Sequence, residues 1–316
     1  MIVSRNLRFS HIVYYAWRPM LYFVALSITV YVLHIVFDMH TLTLPFNAVA
    51  TLSTALAIYL GFKNNNAYDR WWEARKIWGL LVNYSRAFGR QVLTLPEASD
   101  DRSELRAWQR RVLYRHIAFV HALRVFLRRK NPNNGDDEEP IEDDNTYNDL
   151  HDFISQEEFE LVTTKRNPPN YINKLQGDDL RFAHERGWLS DFRFIQIDDT
   201  LVEFNNHQGA SERIKNTPLP RPYSFYSRLF VLVHGTLVPF AFIDELGWAN
   251  IPLSLVINFV FFALDQVGEK IEDPFENRMF DAPLTSLSIT IEENLKELLG
   301  EATLPHKPKP VEGVVF

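Results

Sequence analysis

The residues with the most chemical potential lie in one apolar run. Ala50, Thr54, Ile58 and Phe62 stand four apart, so a helix through them sets all four on one face. Along that face the side chains pass from small to polar to bulky and apolar. Small residues on a spanning helix can serve plain helix packing. A sharper use is a pore, because a narrow apolar ring passes ions only when wetted and so acts as a gate. Other groups offer less. The ten histidines are scattered; His116 and His121 are five apart, on different helix faces, so no metal site and no cofactor is expected. With no cysteine in the chain, disulfides, thiolate metal sites and thiol catalysis are excluded. No phosphate loop, dinucleotide fingerprint, nucleophile elbow or zinc-protease motif occurs, which argues against an enzyme. The acidic stretch Asp136 to Glu160 lacks the ligand order of a calcium loop and reads as a solvated loop.

Four apolar runs must position these residues. The chain has 316 residues and a net charge of -7, and its mean hydropathy of -0.18 resembles that of a soluble protein. That average hides the runs, because a polar middle third dilutes them. The first is Met20 to Phe37 and the second Phe46 to Phe62, each close to the roughly 20 residues a spanning helix needs. The third, about Phe230 to Ile243, and the fourth, about Ile251 to Leu264, reach that length if Tyr223–Arg228 and Asp265–Val267 extend them. Buried helices of a soluble protein would also explain short runs, but aromatic residues at the edges favour a membrane interface. The loops Asp38–Pro45 and Asp244–Asn250 hold no Lys or Arg, whereas Arg5, Arg8, Arg18, Lys63, Arg70 and Arg228 flank the other ends. The positive-inside rule then places both termini and the middle third in the cytoplasm. That topology discounts the glycosylation match Asn83-Tyr84-Ser85. The nearest signal-peptidase-like site, Ala48-Val49-Ala50, lies inside the second run, so cleavage is not expected. No basic stripe marks a nucleic-acid partner.

The middle third reads as helical. Trp72, Ile77, Leu80, Leu81 and Tyr84 recur at helical spacing, as do Leu113, Ile117, Val120, Leu123 and Phe126, a core-facing stripe. Asn131 to Glu142 breaks helices and reads as a loop. A further helix is expected over Leu189–Arg213, and the proline-rich tail Leu304–Phe316 reads as extended.

The stretch Leu60 to Gly79 resembles the signature that follows the pore helix of bestrophins, in their prokaryotic branch; Asn64, Asn65, Arg70, Trp72, Glu73 and Arg75 carry it here. Pro218 in Pro218–Tyr223, and Asp273, Pro274 and Phe275 in Glu272–Phe275, resemble two further landmarks of that family. Order and spacing fit from about Arg5 to Leu298. The resemblance implies a single all-α integral membrane domain over residues 1–316, with transmembrane hairpins about 20–62 and 223–267. These continue into a cytoplasmic helical bundle, about 63–216 and 268–303. It implies a homopentamer around one pore in the inner (plasma) membrane, conducting monovalent inorganic ions. Chloride is the family's ion, with a cation preference left open. It also implies a pore neck at Thr54, Ile58 and Phe62, lined further out by Ala50; Thr54 departs from the bulky apolar residue of animal members. The acidic calcium cluster of animal members is not carried over, since only Glu276 and Asp281 remain acidic after Phe275. A cytoplasmic constriction should fall near Ile195 to Leu201. A membrane-anchored scaffold or sensor without conduction, and a soluble helical enzyme, are the competing classes.

Overall fold

A computed structural model describes residues 9–98, 102–129 and 146–306, and every regular element among them is helical. In chain order these are α1 (Phe9–Tyr31), α2 (Phe46–Thr94), α3 (Arg102–Arg128), α4 (Gln156–Thr163) and α5 (Pro168–Glu185), followed by α6 (Asp191–Asn216), α7 (Arg221–Leu246), α8 (Asn250–Ile271) and α9 (Leu284–Leu298). A π-helical turn, Val32–Val36, continues α1, and short 3-10 turns cover His40–Leu42 and Gly247–Ala249. Among the described residues, three stretches are long and apolar enough to cross a membrane: Ala16–Val36, His40–Thr94 and Pro222–Ile271. The last of these contains both α7 and α8, joined by the single turn at Gly247–Ala249.

The chain divides into two compact units. The apolar unit comprises described residues 9–70 and 218–273. Here α1 packs on α7 and α8, and α7 doubles back on α8. Small residues permit the close approach: a Cβ on Gly235 would run into the Phe23 ring and the Asn258 side chain. Two asparagines buried in this unit are spent on backbone groups that their apolar surroundings keep from water. Pro239 lies inside α7 and has no N–H, which frees the carbonyl four residues earlier. That carbonyl, Gly235 O, accepts from Asn258 Nδ2 at 3.1 Å, and Asn250 Nδ2 donates to Pro239 O at 2.9 Å.

The second unit, described residues 71–98, 102–129, 146–217 and 274–306, is a helical bundle around α3. Leu113, Ile117, Val120 and Leu123 are fully buried, and α5, α6 and α9 pack on α3. Charge is buried in pairs: Arg115 contacts both Asp179 and Glu158, and His121 Nε2 lies 3.0 Å from Glu292. His116 is stacked on Phe204 and bonded to Ser85; burial depresses its pKa to about 3, so it stays neutral at working pH.

Some expectations are refined. The second apolar run ends at Phe62, but α2 runs 49 residues to Thr94 without a break. Phe46–Phe62 marks only its apolar part, since helical hydrogen bonding continues through polar residues once nucleated. Of the residues at helical spacing in this part of α2, Ile77 and Leu81 are buried, whereas Trp72 and Leu80 are 44% and 46% exposed; a regular spacing cannot say which of two faces meets the core. The acidic stretch read as a solvated loop is described from Thr146 onward, and there it contains a 3-10 turn and α4. One of its acids leaves the solvated class: Glu158 contacts Arg115, whereas Asp149 pairs with the nearly buried Arg124 at 2.8 Å while staying 57% exposed. The loop Asn131–Glu142 lies outside the described residues, as does the tail beyond His306.

Burial pushes the Asp281 carboxyl up to about 7, and burial beside Asp273 does the same to Glu272. A raised carboxylate pKa means the folded state holds its proton more tightly. The stabilisation is therefore full below the unfolded pKa, near 4, and is lost as pH rises through about 7. The melting temperature should fall between pH 5 and pH 8, less steeply in Asp281→Asn and least in Asp281→Asn/Glu272→Gln. Equal slopes in all three would contradict this assignment.

Candidate functional site

The apolar half of α2 presents two unlike faces. Val49, Leu56, Leu60, Lys63 and Ala67 form the buried stripe, at a spacing of three, four or seven. Val49 packs with Val238 and Ala241, and Leu56 and Leu60 with Val231. Two hydrogen bonds tie the same side to α7: Ser53 to His234 at 2.6 Å, and Tyr59 Oη donating to Tyr223 O at 3.1 Å.

The opposite stripe carries the residues singled out from the sequence. Ala50 is half-buried, Thr54 is exposed, and Ile58 and Phe62 are 56% and 61% exposed. Among the described residues no core covers them, so packing within that part of one copy does not account for two large apolar side chains. Polar neighbours share the exposed side: Asn47 and Thr51 before them, Asn65 and Asp69 after them. Hydrocarbon would leave these polar groups unsatisfied. The Thr51 and Thr54 hydroxyls are exceptions, because they donate to Asn47 O at 2.8 Å and to Ala50 O at 3.0 Å within their own helix. The face thus suits water or another protein chain better than lipid.

The rotation of α2 is set by charged and polar contacts on its buried side. Lys63 Nζ lies 2.7 Å from Asp265 Oδ1 and 2.9 Å from Ser227 Oγ, and Ser227 Oγ donates to the same carboxylate oxygen at 2.7 Å. The Lys63 and Asp265 side chains are 0% and 2% exposed. Next to them Asn64 Nδ2 donates to Leu264 O at 3.0 Å; a Cβ on Gly268 would collide with the Asn64 amide oxygen. Arg70 Nε donates to Glu272 O at 2.6 Å, with its guanidinium 3.5 Å from Asp273. Lys63, counted in the sequence among the inward-flanking charges, is therefore a buried partner. Asp265, in the extension that lengthens the fourth apolar run, was the available signal: opposite charges on two apolar segments imply each other.

The remaining signature residues divide by position. Trp71 Nε1 donates to Phe280 O at 2.9 Å, and the exposed Trp72 is stacked on the Trp71 ring. Glu73 pairs with Arg213 at 2.5 Å, and Arg75 lies half-buried along its own helix beside Gly79. Pro274 and Phe275 are buried, with Pro274 O accepting from Ala282 N at 3.0 Å. Pro218, half-buried, sits in the link between α6 and α7. Asn64 and Arg70 thus hold the backbone of α8 and its end, while Asn65 stays exposed.

Comparison with known proteins gives a consistent picture. The family model described as bacterial/fungal bestrophin protein matches residues 4–297. A voltage-dependent anion channel-forming protein of Escherichia coli is 33% identical over 260 residues, covering 82% of this chain and 78% of its own. Another so named, from Ralstonia nicotianae, is 31% identical over 298 residues and 92% of each chain. A crystal structure of a bacterial bestrophin homolog from Klebsiella pneumoniae superposes with a TM-score of 0.79 at 28% identity, over 90% of this chain and 98% of that one.

Removing one partner of a buried ion pair leaves an uncompensated charge and costs about 3–5 kcal/mol, whereas an apolar replacement of both is far better tolerated. Lys63→Met and Asp265→Leu alone should each lower the melting temperature of the detergent-solubilised protein sharply, and the double variant should recover much of the loss. Additive losses would show that the two side chains act independently.

Proposed function

Because the chain belongs to the bacterial and fungal bestrophins, we propose that it is the pore-forming subunit of a homopentameric channel that conducts small monovalent anions passively across the cell's inner membrane. The observation that carries this reading is the exposed stripe Thr54, Ile58 and Phe62, opposite a stripe pinned by Lys63 and Asp265. Five copies of α2 around one axis would turn that stripe into rings of threonine, isoleucine and phenylalanine. Successive rings lie about 6 Å apart, four residues at 1.5 Å each. An ion crossing two apolar rings finds few groups to replace its water, so conduction depends on whether the constriction is wet. Identical head-to-tail contacts close such a ring and would cover the exposed apolar surface of α2. The relatives' names support an anion as the conducted species.

In this reading α1, α2, α7 and α8 are the four spanning helices, with both termini and the α3-centred bundle in the cytoplasm. The Lys- and Arg-free turns at Asp38–Pro45 and Asp244–Asn250 support that orientation. A second constriction on the cytoplasmic side falls to Ile195. Within Ile195 to Leu201 it is 55% exposed, whereas Ile197 and Leu201 are buried in the bundle. Calcium is not the opening signal: Glu276 is engaged by Lys215 at 2.5 Å, and Asp281 is buried with a raised pKa.

Ile58→Ala and Phe62→Ala should widen and wet the neck, raising chloride flux into liposomes several-fold with the melting temperature nearly unchanged. Reduced flux with a falling melting temperature would instead place these side chains in a packed core. A reversal potential measured across a potassium chloride gradient in a planar bilayer should sit near the chloride equilibrium potential. Its position near the potassium value would overturn the anion assignment. Currents in chelator and in micromolar calcium should match.

A further inference from the structure

At the end of the apolar unit away from Lys63, three potential metal ligands converge. They are His34 on the π-helical turn after α1, His40 in the 3-10 turn that follows, and Asp244 near the end of α7. His34 Nε2 lies 3.2 Å from His40 Nδ1 and 3.0 Å from Asp244 Oδ1, and all three ligand atoms fall within 4.8 Å of one another. Two ligands of a tetrahedral zinc ion, each about 2.0–2.1 Å from the metal, stand about 3.3 Å apart. Two of the three spacings here, 3.2 and 3.0 Å, are already close to that, and the third is within 4.8 Å.

The proton count points the same way. His40 Nε2 lies 2.8 Å from Asp38 Oδ1, and the tautomer that donates to this carboxylate leaves Nδ1 as a bare acceptor. The Asp244 oxygen is an acceptor as well. His34 Nε2 can offer a proton to only one of them, which leaves one short contact between lone pairs. A cation resolves the mismatch by accepting all three. The carboxylate of Asp38 behind His40 is the outer partner that orients a metal-ligating imidazole and fixes its tautomer. His34 is nearly buried at 3% exposure, and Asp244 and His40 are 56% and 64% exposed. The site is thus anchored on one side and open to solvent on the other.

We propose that His34, His40 and Asp244 form a binding site for a divalent transition-metal ion of the zinc class, with water in the fourth position. Such an ion ties the segment joining α1 and α2 to the end of α7. The site stands apart from the exposed stripe of α2, and metal binding there needs no assumption about conduction. A failure of one proposal leaves the other intact.

The test uses the full chain in detergent, purified without a histidine tag, stripped with chelator and titrated with zinc chloride in a calorimeter. One zinc per chain is expected at micromolar affinity or tighter. The exposed ligands are the ones to change, because replacing the buried His34 risks the fold. His40→Ala and Asp244→Asn should weaken binding at least tenfold while leaving the metal-free melting temperature unchanged, and His151→Ala should bind as the unaltered chain does. Asp38→Asn keeps the side-chain shape and should weaken binding roughly tenfold, the usual effect of losing an outer partner. Cobalt(II) in place of zinc should show the strong visible absorption of a four-coordinate site, and lose it in His40→Ala. No saturable site in the unaltered chain, or equal affinity in His40→Ala and Asp244→Asn, would overturn the proposal.

Discussion

The geometry of the apolar unit depends on a lysine and an aspartate placed where there is little water. A long helix in an apolar setting has weak preferences for rotation, because one set of aliphatic side chains packs nearly as well as another. A buried ammonium does not share that indifference: its charge must meet a counter-charge within hydrogen-bonding distance, or several kcal/mol are lost. Lys63 meets Asp265 and Ser227, and one residue away Asn64 holds a carbonyl of α8. Since each residue turns a helix by about 100°, fixing Lys63 inward leaves Ile58 and Phe62 facing outward. The side chains proposed to meet the ions owe their position to a charge on the other side of the helix.

The same economy governs the other polar residues in that unit. Pro239 interrupts the hydrogen bonding of α7, and Asn258 supplies a donor to the carbonyl it frees. His234 is paired with Ser53, and Asn250 bonds Pro239 O. Each is polar, sits among apolar side chains and reaches a neighbouring helix. In hydrocarbon an unmet donor or acceptor has no water to fall back on, so these bonds specify which helices lie together more than they add stability. The bundle around α3 is built differently. Its charges lie at the edge of a large aliphatic and aromatic core, where Arg115 and Arg124 are held by acids from the α4 region and α5.

Much of this was legible in the chain. The apolar lengths near both ends, the aromatic edges and the signature from Leu60 to Gly79 pointed to spanning helices and to the family, and Leu113 to Leu123 marked the buried line of α3. What escaped was any feature created by a partner distant in sequence. Lys63 looked like a flanking charge because Asp265, 202 residues away, is invisible from its neighbourhood. Glu158 looked solvated for the same reason. His34 and His40 were set aside with the other histidines, because their six-residue separation fits no regular helical ligand motif and the third ligand, Asp244, comes from another helix.

By itself the sequence determined which segments are apolar enough to leave water, which residues share a helical face, and which family the chain belongs to. Those properties follow from local composition and the 3.6-residue period, and they hold wherever the helices are placed. The tertiary structure alone decided which face of α2 is covered and which is left open, which buried charges find counter-charges, and that His34, His40 and Asp244 meet. These are matters of packing between segments hundreds of residues apart. The free energies involved belong to pairs of side chains and not to either residue alone, so a residue's own neighbourhood in the chain does not assign them.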